Sequence, residues 1–177
     1  MKRTRPTIST GTGDSGQTSL FCGGRVSKTD PQVAATGDCD ELSTALGLAK
    51  AHCTHPARKE HIKAIQLDLI TLMADISLNR YSEESQDFCI KPDRIEWLES
   101  LGKCIEDALP PLKDWDLPGA DLESAALHMA RTICRRCERS CLLVPEPHRA
   151  SQTALLYLNR LSDLLFLLAR STSLPQL

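Results

Sequence analysis

The sequence predicts an all-α fold: an up-down helical bundle of four long helices and one shorter helix behind an irregular N-terminal segment. Three observations predict it. Leu and Ala are abundant while aromatic residues make up only 4% of the chain, whereas strands usually carry aromatic and β-branched side chains. Apolar residues recur at spacings of three and four over long stretches. Prolines punctuate those stretches where a helix has to end. At 177 residues the chain suits a single domain spanning residues 1–177, able to bury roughly 70% of its unfolded surface. Within it, residues 1–37 read as a loop segment and 38–170 as the bundle.

Residues 1–37 are rich in Gly, Thr and Ser and hold no sustained period. The first helix is expected to start near Asp38 or Asp40 and to run through ELSTALGLAKAH, with its early carboxylates facing the positive end of the helix dipole. Pro56 bars its continuation. A second helix, about Ala57 to Asn79, sets Ile62, Ile65, Leu69, Leu72, Met73 and Ile76 along one stripe. Residues 80–91 are polar and connect. A third helix follows Pro92, a favoured early helical position, and lines up Ile95, Leu98, Leu101, Ile105 and Leu109 until Pro110-Pro111 ends it. Trp115 to Gly119 is turn chemistry, and Asp121 fits as the cap of a fourth helix. Pro145 and Pro147 separate that helix from the last one, which runs to about Arg170. Such an arrangement is ferritin-like.

Composition limits function. With 21 basic and 23 acidic residues, the chain has no global electrostatic reason to bind nucleic acid or membrane, so any anion site is local. MKRTRPTIST has positive charge without an apolar core, and the apolar run from Leu155 to Leu168 is broken by Asn159, Arg160 and Asp163, so neither reads as a secretory signal or a membrane span. A soluble protein is expected, cytoplasmic in the first instance and otherwise of the mitochondrial matrix after loss of a transit peptide. Eight cysteines are spread without framework spacing and read as reduced thiols. Cys134 and Cys137 form a CxxC, yet a zinc site needs a second pair and a thioredoxin-like site a preceding strand, so core-facing thiols are the better reading. His52 and His55 lack further ligands at useful spacing, and no metal site made of protein side chains is expected.

Two segments carry chemistry. Gly11-Thr-Gly13-Asp-Ser-Gly16 matches GxGxxG, but neither a strand before it nor a helix at its end gives the match its dinucleotide meaning. What survives is general: glycines let the backbone approach a ligand, and Thr10, Thr12, Thr18 and Ser19 offer hydroxyls, a combination suited to a phosphate chain as well as to a plain flexible tail. The second is LHMARTICRRCERSC, Leu127 to Cys141. Arg131, Arg135 and Glu138 share one face, Arg139 lies four residues beyond Arg135, Arg136 points elsewhere, and the segment holds no lysine. Arginine gives planar, bidentate donors that stay charged. An anion site and a solvated basic face paired with neighbouring acids both fit. Asn159 and Asp163, four apart in a leucine-rich helix, need partners, with these arginines or a ligand as candidates. Asp40 is a further candidate for an arginine.

TGTGDSGQTSLF with Arg25-Val-Ser-Lys28, TGDCDELSTALG, IQLDLITLMADIS, DLPGA, ARTICRRCERS and YLNRLSDLLFLLAR, in this order over nearly the whole chain, resemble the ATP:corrinoid adenosyltransferases of the propanediol-utilisation type. The resemblance implies a homotrimer of helical bundles with active sites between subunits, which transfers the 5′-deoxyadenosyl group of ATP to the cobalt of cob(I)alamin and releases triphosphate. It implies that Thr10, Gly11, Thr12, Gly13, Thr18, Ser19 and Lys28 wrap the nucleotide, and that Arg135, Arg136, Cys137, Glu138, Arg139 and Asn159 complete the ATP site, with Mg²⁺ held through phosphate oxygens. Arg131 falls on an arginine that bridges to the neighbouring subunit, Asp40 on the aspartate it meets, and these two with Arg135 form the catalytic set. Trp115, in place of the family's phenylalanine, and Asp163 would face the corrinoid. A reductase and a cobalamin-dependent mutase or dehydratase are the implied partners.

Three departures stand out. Gly11 replaces a lysine or arginine, Cys22 and Gly24 replace glycine and glutamate, and Asp116 follows Trp115 where an apolar residue is common. Gly11 and Trp115 motivate an alternative reading as a nucleotide or corrinoid carrier with weakened catalysis.

Overall fold

The computed structural model describes residues 9–21, 24–78 and 88–174; Cys22, Asn79 and residues 80–87 of the polar connection lie outside them. A short antiparallel hairpin, β1 (Gln17–Ser19) and β2 (Arg25–Ser27), pairs Thr18 with Val26. Five helices follow: α1 (Pro31–His52), α2 (Pro56–Ile76), α3 (Pro92–Ala108), α4 (Leu122–Leu143) and α5 (Gln152–Arg170), with a 3₁₀ turn at Ser171–Ser173. The all-α bundle is as expected from the sequence.

One boundary differs from expectation. The first helix begins at Pro31 rather than near Asp38 or Asp40. Asp30 caps it by accepting from Gln32 N at 2.8 Å, and Pro31 at the first helical position needs no hydrogen bond to its missing N–H. Gly37 therefore sits inside the helix, where packing overrides its low propensity. The arginine helix starts at Leu122, capped by Asp121, whose carboxylate accepts from Ser124 N at 2.7 Å. The last helix starts at Gln152, capped by Ser151. The N-terminal segment, moreover, is not wholly irregular, since it contains the hairpin.

The helices pack in the order α2, α1, α4, α5, α3. Gln32 donates to the carbonyl of Ile76 while Gln66 donates to that of Ser43, so α1 and α2 run antiparallel. The core is aliphatic: Leu42, Leu46, Ile62, Ile65, Leu69, Leu72, Leu98, Leu158 and Leu161 are all essentially inaccessible. α4 contributes Ala130, Ile133, Cys134, Cys137 and Cys141, as its period requires.

One polar network crosses this core. Asp68 of α2 receives a two-pronged hydrogen bond from Arg94 of α3, at 2.9 and 2.8 Å, and a third from the hydroxyl of Tyr157 of α5, at 2.7 Å. The ring of Tyr157 is fully buried, and burial, followed by the Asp68 charge, pushes its hydroxyl well above the usual tyrosine range. Tyr157→Phe should therefore cost about 1–2 kcal/mol of stability, because it leaves one Asp68 oxygen short of a donor. Urea denaturation measures this, and a midpoint equal to the parent's would show the hydroxyl to be dispensable.

Candidate active site

The hairpin brings one half of the expected site residues together. Asp14 N donates to the carbonyl of Gly11 and Gly16 N to that of Gly13, which folds the glycine loop into two consecutive tight turns, with Gly11 and Gly16 at φ 67° and 79°. Lys28 N closes the loop onto Gly16 O at 2.8 Å. A side chain at Gly13 would meet the Lys28 ammonium, 3.2 Å from an added Cβ, so the lysine lies directly over the glycine. The hydroxyls of Thr10 and Thr12 are 2.9 Å apart, and Arg25 donates to Thr12 O at 2.8 Å. Thr10, Gly11, Thr12, Gly13 and Lys28 thus form one exposed patch of hydroxyls, bent backbone and positive charge. Arg25 is a member that sequence reasoning passed over as a site residue. It is the first residue of β2, paired with Ser19, and a three-residue strand leaves no periodic signal in the sequence.

Beside this patch, β1, α1 and α2 enclose a cavity of about 770 Å³. Thr18 and Ser19 line one edge, Asp40 another, and Ile70, Met73, Phe21 and Phe88 supply apolar walls. Gly37 opens onto free space, since an added Cβ would meet no atom within 4 Å. Asp40 is exposed and has no arginine partner among the described residues.

The arginines belong to a second cavity, of about 700 Å³, which shares no lining residue with the first. Arg131 and Arg135 of α4 and Asp163, Phe166 and Arg170 of α5 form its walls, with Pro110 to Leu112 along one side. The guanidiniums of Arg131 and Arg170 each stand 5.9 Å from the Phe166 ring, within reach of a cation–π contact. The Nε of Arg131 is buried without a hydrogen-bond acceptor. Such a group favours an incoming anion.

The remaining expected residues divide. Arg136 is committed to α1, donating from Nε to Asp38 at 3.0 Å and pairing also with Glu41. Asn159 donates to Glu138 at 3.3 Å and accepts from Arg160 at 2.8 Å, so the two polar residues of that face satisfy one another. Arg139 is exposed. Cys137 lies on the core side of α4, away from both cavities. It is fully buried, and its thiol points to the carbonyl of Ala35 on α1, because a residue two beyond Arg135 faces the opposite side of the helix. Trp115 stands 90% exposed on the loop between α3 and α4, and Asp116 beside it turns inward.

Two histidines are held neutral. Burial pushes the pKa of His128 down against the opposing pull of Asp116, and Arg131 lowers it further; burial does the same to His61, aided by His55 and Arg58. The unfolded chain, with histidines near 6.5, therefore binds protons that the folded chain refuses. Stability is present above about pH 6.5 and falls as pH drops through and below that value. Thermal unfolding between pH 7.5 and 5.5 should show a falling midpoint, with a shallower fall in a His61→Gln, His128→Gln variant; a midpoint flat across this range in the parent would contradict the assignment.

The helical bundle thus carries a glycine–hydroxyl loop beside one cavity and an arginine-lined second cavity, both suited to an anion. The chain belongs to the cobalamin adenosyltransferase family, whose model matches residues 8–172. It is 37% identical over 164 residues to the corrinoid adenosyltransferase PduO of Citrobacter freundii, covering 93% of this chain and 49% of that protein. The chain thus spans about half the length of that relative. A corrinoid adenosyltransferase of Mycobacterium tuberculosis is 40% identical over 168 residues, which cover 92% of this chain and 86% of the relative. Among solved structures, a phenylalanine-to-histidine variant of a PduO-type ATP:corrinoid adenosyltransferase from Lactobacillus reuteri, complexed with cobalamin and ATP, matches with a TM-score of 0.85 and 33% identity, over 93% of this chain and 89% of that one.

Proposed function

We propose that this protein transfers the 5′-deoxyadenosyl group of ATP to the cobalt of a cob(I)alamin-type corrinoid. The observation that carries the reading is the match over 93% of the chain to a structure that holds both ATP and cobalamin, joined to an arginine cavity and a glycine–threonine loop suited to phosphates. Co(I) brings its own electron pair. That pair forms the bond to C5′, the C5′–O bond breaks, and its electrons leave with triphosphate. No general base is needed, so the protein's contribution is alignment and charge stabilisation of the leaving group.

Arg131 and Arg135 are the residues assigned to the departing triphosphate, with Thr10, Thr12, Thr18, Ser19 and Lys28 holding the nucleotide from the loop side. Trp115 is assigned to the corrinoid face. Mg²⁺ is assigned to the phosphate oxygens of bound ATP. Because Asp40 and Arg131 line separate cavities and neither has an ion-pair partner among the described residues, a homotrimer that joins one subunit's loop to its neighbour's arginines is the assembly we propose. Cys39, Cys53, Cys104, Cys134, Cys137 and Cys141 are free thiols, which supports a reducing compartment, the cytoplasm. No helix among the described residues is long and apolar enough to cross a membrane. A reductase that supplies Co(I) and a mutase or dehydratase that consumes the product are the partners this chemistry calls for.

Mixing the protein with ATP, Mg²⁺ and chemically reduced cob(I)alamin should yield a cobalt–carbon bond, followed by its absorbance change and by triphosphate release. Arg135→Lys should lower kcat/KM by about 10- to 100-fold, because the planar bidentate contact is lost while the charge remains. Corrinoid and ATP binding without turnover would instead establish the carrier reading that Gly11 motivates.

A further inference from the structure

The segment from Pro110 to Asp121 crosses from α3 to α4 with little packing of its own. Leu112 is 55% exposed, Trp115 90% and Leu117 78%. Its ends are nonetheless fixed. Arg170 donates from Nη2 to the carbonyl of Pro110 at 2.9 Å, and Asp121 caps α4 while accepting from the hydroxyl of Thr172 at 2.7 Å. Between these points one side chain turns inward. The Oδ2 atom of Asp116 is buried, lying 3.8 Å from His128 Nε2 and 3.9 Å from Arg170 Nε, with no direct hydrogen bond to either.

The partners tie this carboxylate to the wall of the second cavity. His128 packs its ring edgewise on Phe166, centroids 6.0 Å apart, and Phe166 is the ring flanked by Arg131 and Arg170. Arg170 therefore grips the same loop twice, at Pro110 by a hydrogen bond and at Asp116 by charge. An isolated buried carboxylate oxygen is costly, so the arrangement is stabilising only through the guanidinium beside it. Both distances exceed a hydrogen bond by more than half an ångström, so the hold restrains the loop without fixing one geometry.

We propose that Asp116 is a positioning residue that, through Arg170, pins the loop to the arginine cavity and sets the placement of Trp115 against a bound corrinoid. The proposal rests on the reading of Trp115 as the corrinoid-facing residue.

Trp97→Phe leaves Trp115 as the single tryptophan, so its fluorescence anisotropy reports the loop directly. In that background Asp116→Asn should lower the anisotropy of Trp115 and raise the KM for cob(I)alamin by about fivefold, with the KM for ATP and the thermal midpoint unchanged. Asp116→Glu, which keeps the charge, should restore most of both. Unchanged anisotropy and corrinoid KM in Asp116→Asn would overturn the proposal, as would an equal rise in both KM values, which marks general damage. Trp115→Ala separates the two levels. If it leaves the corrinoid KM unchanged, the assignment of Trp115 fails and the positioning role with it; if it raises that KM while Asp116→Asn does not, only the role of Asp116 fails.

Discussion

The roll of α4 about its own axis is the constraint on which the site depends. Cys134, Cys137 and Cys141 recur at intervals of three and four and are fully buried between α1 and α5. Burial holds the Cys134 thiol far above its ordinary pKa; at Cys141 the hydrogen bond with Cys137 does so first and burial adds to it. These side chains are packing groups, small enough to let α4 lie close to its neighbours. Once that stripe is buried, the directions of the four arginines are decided. Arg136 meets Asp38 and Glu41 on α1, Arg131 and Arg135 enter the cavity beside α5, and Arg139 faces solvent. A quarter-turn error in the roll would bury a guanidinium and expose a thiol, and both cost free energy.

The same geometry separates two functions that one helix face would mix. Asp38 and Glu41 neutralise Arg136 and tie α4 to α1, so this arginine's charge is spent within the chain. Among the described residues no acid is ion-paired with Arg131 or Arg135, and Glu106 and Asp163 are the acidic residues that line their cavity. The loop half of the proposed site lies across the molecule on a cavity of its own, supported by α1 and α2. Each half is incomplete as a nucleotide site: one has hydroxyls, a lysine and a bent backbone, the other bidentate cations.

Much of this was legible in sequence. The helices α2 and α3 follow from apolar period and proline placement, and Asp121 reads as a cap because a polar acceptor precedes an amphipathic run. The start of α1 was misplaced because Thr36-Gly37-Asp38 has the look of a turn, whereas Asp30-Pro31 held the stronger start signal. Three-residue strands are too short to show a period, so the hairpin, and with it the role of Arg25, was invisible. Cys137 was grouped with the site by its neighbours in sequence, although the 3.6-residue repeat places it on the core side. The pairing of Glu138 with Asn159 and the inward turn of Asp116 are long-range contacts that no local pattern encodes.

The central claim is that the glycine–threonine loop of one copy and the arginines of another form one site. Complementation between two inactive variants, Lys28→Ala with Asp40→Ala in one copy and Arg135→Ala in the other, tests it most directly. Co-expressed and assembled together, they should regain a substantial share of parental adenosyl transfer, because mixed oligomers contain some interfaces with both halves intact. Activity no higher than the sum of the two variants measured apart, in oligomers shown to be mixed, would contradict it.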